Sequence, residues 1–245
     1  VLFVKKDKTH QGYMWVVVDP RTRNTYFEYR EGRNRAGPRL MLKDFQGKVQ
    51  SDGYVVYDVI DAELSDIDHY NCWTHARRKF IEALSDNKAV CEHTLMLIQK
   101  LYEVEAGCRN DNCSLDERYE RRQTYSLPIL ESLKEWMDQQ ALVITPGCPT
   151  GKAIAYCNRR WTNLIKYANT GNVEIDNNLV ENAIRPLALG RKNYLFAGGH
   201  DAAVNIGYYY TVFSTCKAQD VNPYDYALWY LRKINNTKIT EIDTL

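Results

Sequence analysis

Over the first 70 residues the apolar positions fall in short runs rich in aromatic and β-branched side chains, the pattern of strands. Gly12 to Val18 and Thr25 to Tyr29 are two such runs, separated by the turn dipeptide Asp19-Pro20, and they predict a hairpin. Trp15 to Val18 is apolar without alternation, which predicts a strand covered on both faces in the middle of a mixed sheet. Leu40, Met41 and Phe45 stand at roughly helical spacing and predict a short helix over Pro38 to Phe45. A strand is expected from Lys48 to Tyr57. A shorter one around His69 to Cys72 runs into a helix whose Ala76, Phe80 and Leu84 recur every four residues, with Arg78 and Glu82 on the opposite side.

From about 85 to 174 the strand signal disappears. Three amphipathic stretches take over: Leu95, Ile98 and Leu101; Leu130, Leu133 and Met137; Ile154, Cys157, Trp161, Leu164 and Ala168. Asp176-Asn177-Asn178 then signals a helix start, the helix runs to Pro186, and a basic, glycine-containing segment and further helix close the chain. The pattern predicts an α/β fold with a mixed sheet and flanking helices, its core formed by 1–84 and 175–245 and interrupted by an all-helical insertion over 85–174.

Composition narrows the class. The chain of 245 residues is 44% hydrophobic and 26% charged, as in an ordinary globular protein. Its longest apolar run, about Met14 to Val18, is far short of a membrane-spanning helix. The opening residues carry neither an initiator Met nor a secretory pattern, so a fragment of a cytoplasmic protein is expected. Seven cysteines without a Cys-x-x-Cys pair point to reduced, structural thiols. With a formal net charge of only +1, nucleic-acid affinity must come from local basic clusters. Arg77-Arg78-Lys79, Arg121-Arg122, Arg159-Arg160 and Arg191-Lys192 are such clusters.

Several residues could carry chemistry. Asp52, in Ser51-Asp52-Gly53-Tyr54 at a strand end, suits a hard cation such as Mg²⁺, and Asp-Gly is equally a turn dipeptide. Glu181 stands three residues after Asn178, so a capping box competes with metal ligation. The basic run from Arg185 to Lys192 would set phosphate binders beside that acid. Cys72 and His75 are two zinc donors without a second pair, and fixing the start of the basic helix is the alternative. Gly198-Gly199 suits a close approach to phosphate or a plain loop. Trp136 and Trp161 lie on apolar helical stripes, the place of core residues, with base stacking the other option. None of the 18 tyrosines has the arginine and histidine setting of a covalent nucleophile.

Three segments occur in order: Ser51 to Asp58 (SDGYVVYD), Cys72 to Phe80 (CWTHARRKF) and Asp176 to Pro186 (DNNLVENAIRP). Gly190 to Gly199 (GRKNYLFAGG) and Thr215 to Tyr224 (TCKAQDVNPY) continue the series. Together they resemble the insertion-sequence 66 family of transposases, over nearly the whole chain except the helical insertion. The resemblance implies a ribonuclease-H-like fold with an Asp-Asp-Glu site holding Mg²⁺, with Mn²⁺ as a substitute. Asp52 matches the second Asp and Glu181 the Glu, and the first Asp is expected a few residues before Val1. It further implies metal-dependent cleavage at transposon ends and strand transfer into target DNA. Arg77, Arg78, Lys79, Arg185, Arg191 and Lys192 would lie on phosphates. A homo-oligomer on DNA, helper proteins of the same element, a cytoplasmic, nucleoid-associated location and no membrane partner complete the expectation. The rival readings are a non-catalytic DNA-binding or assembly remnant and a ribonuclease-H-like nuclease that cuts without joining.

Overall fold

The computed structural model describes residues 2–5, 8–238 and 240–241, with side chains for 9–60, 62–238 and 240–241. Val1, the anchor for the expected upstream Asp, lies outside the described residues. The chain divides into two compact units, 1–37 with 178–245, and 38–177. The architecture is mixed α/β. Among the described residues the strands pair in three two-stranded sheets, where the sequence predicts one mixed sheet.

In the first unit β1 (Leu2–Lys5) pairs antiparallel with β2 (Lys8–Gln11), a pair that the hydrophobic pattern does not announce. β3 (Tyr13–Val18) and β4 (Thr25–Arg30) form the predicted hairpin, with Val18 opposite Thr25. Trp15 and Phe27 are buried, whereas Val17 is 42% exposed, so β3 is not covered on both faces as its apolar run suggests. Among the described residues three helices complete this unit, α8 (Asn178–Tyr194), α9 (His200–Ala218) and α10 (Pro223–Asn235). α9 packs on β4 and satisfies its free edge. The Phe27 N–H donates to Thr211 Oγ1 at 2.9 Å and the Thr25 N–H to Thr215 Oγ1 at 3.3 Å, two threonines one helical turn apart. Gly207 permits the approach, since a Cβ there would meet the Phe27 carbonyl oxygen at 3.0 Å.

α8 does not stop at Pro186 but runs eight residues further, to Tyr194. Proline forfeits the hydrogen bond to the Asn182 carbonyl, and both residues are exposed, so water can satisfy the freed oxygen.

The second unit takes up most of α1 (Ala36–Leu42) and then β5 (Gly47–Ser51), a 3₁₀ turn (Val55–Tyr57), α2 (Asp58–Glu63) and β6 (Ile67–Asn71). The single strand expected over 48–57 thus ends at Ser51, because the Asp52-Gly53 turn breaks it. β5 and β6 are parallel, joined through α2. The helices that follow are α3 (Trp73–Glu82), α4 (Lys88–Asn110), α5 (Leu115–Arg121), α6 (Leu127–Val143) and α7 (Pro149–Ile165), with a π-helical turn over Arg122–Ser126. Their apolar stripes bury Trp73, Phe80, Leu101, Leu133, Met137 and Leu164 in one core, against which Trp136 and Trp161 pack. The Trp73 indole N–H donates to the Leu164 carbonyl at 2.9 Å.

A buried ionic network ties these helices to the segment that leads out of them. Glu105 and Arg122, both fully buried, form a bidentate pair at 2.7 and 2.8 Å. Arg122 also donates to the Tyr167 and Thr170 carbonyls. Arg118 bridges Glu105 and Glu174, each at 2.6 Å. The Arg118 guanidinium holds the Glu174 carboxyl below the usual glutamate range, against the opposing effect of burial. Among the described residues no helix is long and apolar enough to cross a membrane.

Candidate active site at the carboxyl ends of the parallel strands

Ser51 and Asn71 are register partners at the ends of β5 and β6, so the residues that follow them, Asp52 and Cys72, leave the same edge. The carboxyl ends of parallel strands are where α/β sheets commonly place ligands. Asp52 is half-buried, and its Oδ1 accepts the Tyr54 N–H at 3.0 Å. The turn reading and the ligand reading of Asp52 are therefore compatible: one carboxylate oxygen shapes the turn, and Oδ2 has no hydrogen bond among the described residues.

Two sets of side chains fix this turn. Ser51 Oγ donates to the Asp52 carbonyl at 2.8 Å and lies 2.7 Å from His69 Nε2. With the serine proton committed, Nε2 must be the donor to Ser51. Across the ring Nδ1 stands 3.4 Å from Asn163 Nδ2. On the other side Arg160 Nη2 donates to the Gly53 carbonyl at 2.7 Å, and its guanidinium stacks over the Tyr156 ring at 4.5 Å. A Cβ at position 53 would overlap the Tyr156 hydroxyl and reach Arg160 Nε at 2.8 Å, so any larger residue must displace the ends of these two side chains. Tyr156, Arg160 and Asn163 share one face of α7 at i, i+4, i+7.

The second wall is the start of α3. Cys72 occupies the cap position, and its sulfur accepts the Asn177 N–H at 3.4 Å. The Trp73 N–H donates to the Ile175 carbonyl at 3.1 Å, and Thr74 Oγ1 donates to Asp176 Oδ2 at 3.1 Å. Burial pushes the Cys72 thiol up to about 11, so it stays protonated at neutral pH. Burial also raises the Tyr102 hydroxyl, which stands 2.9 Å from Thr74 Oγ1, and the Tyr156 hydroxyl. His75 is half-buried one turn into the helix.

The basic cluster follows on α3: Arg77 and Arg78 are exposed, and Lys79 donates to Glu82 at 3.1 Å. In the other unit Glu181 is exposed in the first turn of α8. Arg185 and Lys192 share its face at i+4 and i+11, Arg191 is exposed beside them, and Leu187 is buried on the opposite side. Within the second unit the structure thus brings Asp52, Cys72 and Asp176 to one edge, and within the first it sets Glu181 on the α8 face that carries Arg185 and Lys192. Gly198, with φ +83°, turns the chain between α8 and α9. Sequence reasoning missed Tyr156, Arg160, Asn163 and His69 as residues of this edge. The polar face of α7, running beside its apolar stripe, is the one signal that could have found the first three.

The family model described as Transposase IS66 family matches residues 1–205. The chain belongs to that family. Three curated relatives of the IS66-family chain come from Sinorhizobium fredii. Uncharacterized protein y4qI is 30% identical over 85% of this chain and 40% of its own length. Uncharacterized protein y4jD is 27% identical over 89% of the chain and 44% of its own length. Uncharacterized protein y4hP is 27% identical over 97% of the chain and 47% of its own length. The chain therefore spans less than half the length of each. No solved structure matches it.

For an IS66-family chain the metal question can be put to the donors themselves. Asp52 offers a hard oxygen at a braced turn with one oxygen uncommitted, which suits Mg²⁺ in kind. In number the set is incomplete, since among the described residues no three His, Cys, Asp or Glu side chains are grouped to hold a metal ion.

Proposed function

We propose that this transposase-family chain is the catalytic part of an Asp-Asp-Glu transposase that cleaves phosphodiester bonds at transposon ends and transfers the freed strand into target DNA. The single observation that carries the reading is the Asp52 carboxylate. It stands at the carboxyl end of a parallel strand pair, is oriented through one oxygen and has the other open, in a chain of this family. The fold behind it would be ribonuclease-H-like, with core parts 1–84 and 175–245 and a helical insertion 85–174 between them.

In this reading Asp52 and Glu181 are metal ligands, and the third carboxylate is supplied from elsewhere in the protein. When bound, Mg²⁺, or Mn²⁺ in its place, supplies charge stabilisation to the attacking and leaving oxygens of an in-line displacement. The chain's own contribution is orientation: the Ser51 and Arg160 hydrogen bonds hold the Asp52 backbone, and the Tyr54 N–H holds its carboxylate. Arg77, Arg78, Lys79, Arg185, Arg191 and Lys192 neutralise backbone phosphates, which steers DNA without reading its sequence. DNA is the partner, bound by a homo-oligomer in a cytoplasmic setting, with helper proteins of the same element.

The test is Mg²⁺-dependent end cleavage and joining by the full-length protein carrying Asp52→Asn or Glu181→Gln. Each variant should lose both products while still retaining end DNA in a binding assay. Undiminished cleavage by either one removes that residue from the site, and cleavage without joining by the unaltered protein identifies a nuclease instead.

A further inference from the structure

α4 ends in a turn that brings two cysteines together, far along the chain from the site above. The Cys113 N–H donates to the Cys108 carbonyl at 2.9 Å and the Asn112 N–H to the Arg109 carbonyl at 3.2 Å. Asp111 is the cap residue, and Asn112 after it has φ +50°. These two nested bonds closed by a left-handed residue are a Schellman motif. Its third residue before the cap and second residue after it normally meet as an apolar pair. Here both of those residues are cysteine. Cys108 is 3% exposed, and Cys113 is half-exposed in a shallow groove lined also by Arg109, Asn112 and Arg118. Burial pushes the Cys108 thiol up, and the neighbouring Cys113 thiol adds to that shift.

We propose that Cys108 and Cys113 are an oxidisable dithiol, a modification site that a peroxide closes into an intramolecular disulfide. A disulfide needs Cα atoms roughly 4.4–6.8 Å apart with converging side chains, an approach this hydrogen-bonded turn favours. Access assigns the roles. The Cys113 sulfur, as thiolate, attacks one peroxide oxygen; the O–O bond breaks, the other oxygen leaves as hydroxide and takes up a proton, and Cys113 becomes a sulfenic acid. The Cys108 sulfur then attacks the Cys113 sulfur. The S–O bond breaks, and the departing hydroxide takes up the Cys108 proton as water. In sum two thiols are oxidised to one disulfide and one peroxide is reduced to two waters.

The staple would join the last turn of α4 to the residue before Ser114, whose side chain and Glu117 form the capping box that opens α5. α5 carries Arg118, which binds both Glu105 and Glu174. Oxidation would therefore lock the turn from which this arm of the buried network is hung.

Trypsin makes the test direct, because it cuts at Arg109, between the two cysteines. The full chain is treated with hydrogen peroxide, its remaining thiols are alkylated under denaturing conditions, and the digest is weighed. Peptides Leu101–Arg109 and Asn110–Arg118 are expected as one species, lighter than their sum by two hydrogens and separated by a reductant. Cys113→Ser should abolish that species and leave Cys108 alkylated, whereas Cys148→Ser should leave it intact. Cys113 recovered as a sulfinic acid with Cys108 alkylated, or linked to any other peptide, would overturn the proposal.

Discussion

Asp52 and Glu181, the two acids of the proposed reaction, sit in opposite physical settings. Asp52 leaves the end of a strand in a half-buried turn whose carbonyls are held by Ser51 and Arg160 and whose glycine fits against Tyr156. Glu181 stands exposed on the first turn of α8, a helix start that favours a carboxylate through its unsatisfied N–H groups, on a face shared with Arg185 and Lys192. One acid is oriented by the fold before any ligand arrives. The other shares a solvated, charged face that a polyanion can reach. The difference teaches that, in the proposed reaction, the two acids would divide the work: one a preorganised anchor, the other on a face open to the substrate.

In the unit that carries Asp52, the buried ionic network should be the costliest contact to remove. Glu105→Leu leaves Arg122 fully buried without a carboxylate, and a loss of about 3–5 kcal/mol is expected, read as an earlier urea midpoint. A loss under about 1 kcal/mol would mean that the network does not hold the 167–174 segment against the helices. Next comes the turn itself. Gly53→Ala should cost about 1–3 kcal/mol through overlap with Tyr156 and Arg160. Tyr156→Ala in the same protein should recover part of that, so the double-mutant cycle is non-additive. Additive effects would deny the contact. The smallest change in stability belongs to α8: Arg185→Ala and Lys192→Ala should each shift it by no more than about 0.5 kcal/mol. Each should also lower the salt slope of DNA binding by about 1. If either α8 substitution destabilised the protein as much as Gly53→Ala, the contrast between the two acids would collapse.

Much of this was legible along the chain. The Tyr13–Val18 and Thr25–Arg30 hairpin, the α3 stripe of Ala76 and Phe80 and the long helical run follow from local periodicity, which depends only on neighbours in sequence. Asp52 at a strand end was legible too: its turn reading is met through Oδ1 alone, which leaves the proposed ligand role to the other oxygen of the same carboxylate. Pro186 misled because the sequence does not say whether its turn faces water, and there the lost hydrogen bond is tolerable.

Periodicity, turn dipeptides and the ordered motifs determined where helices and strands lie, which acids are candidates and which cations flank them, because each of these is set by residues a few positions apart. Only the folded chain decided what holds Asp52: Arg160 and Asn163 lie about a hundred positions away, and their bonds exist because α7 packs beside β6. The same holds for Cys72, whose sulfur is engaged by a backbone N–H from residue 177. Side-chain identity states what a group can do. Which partner it meets depends on packing between segments that the sequence keeps apart.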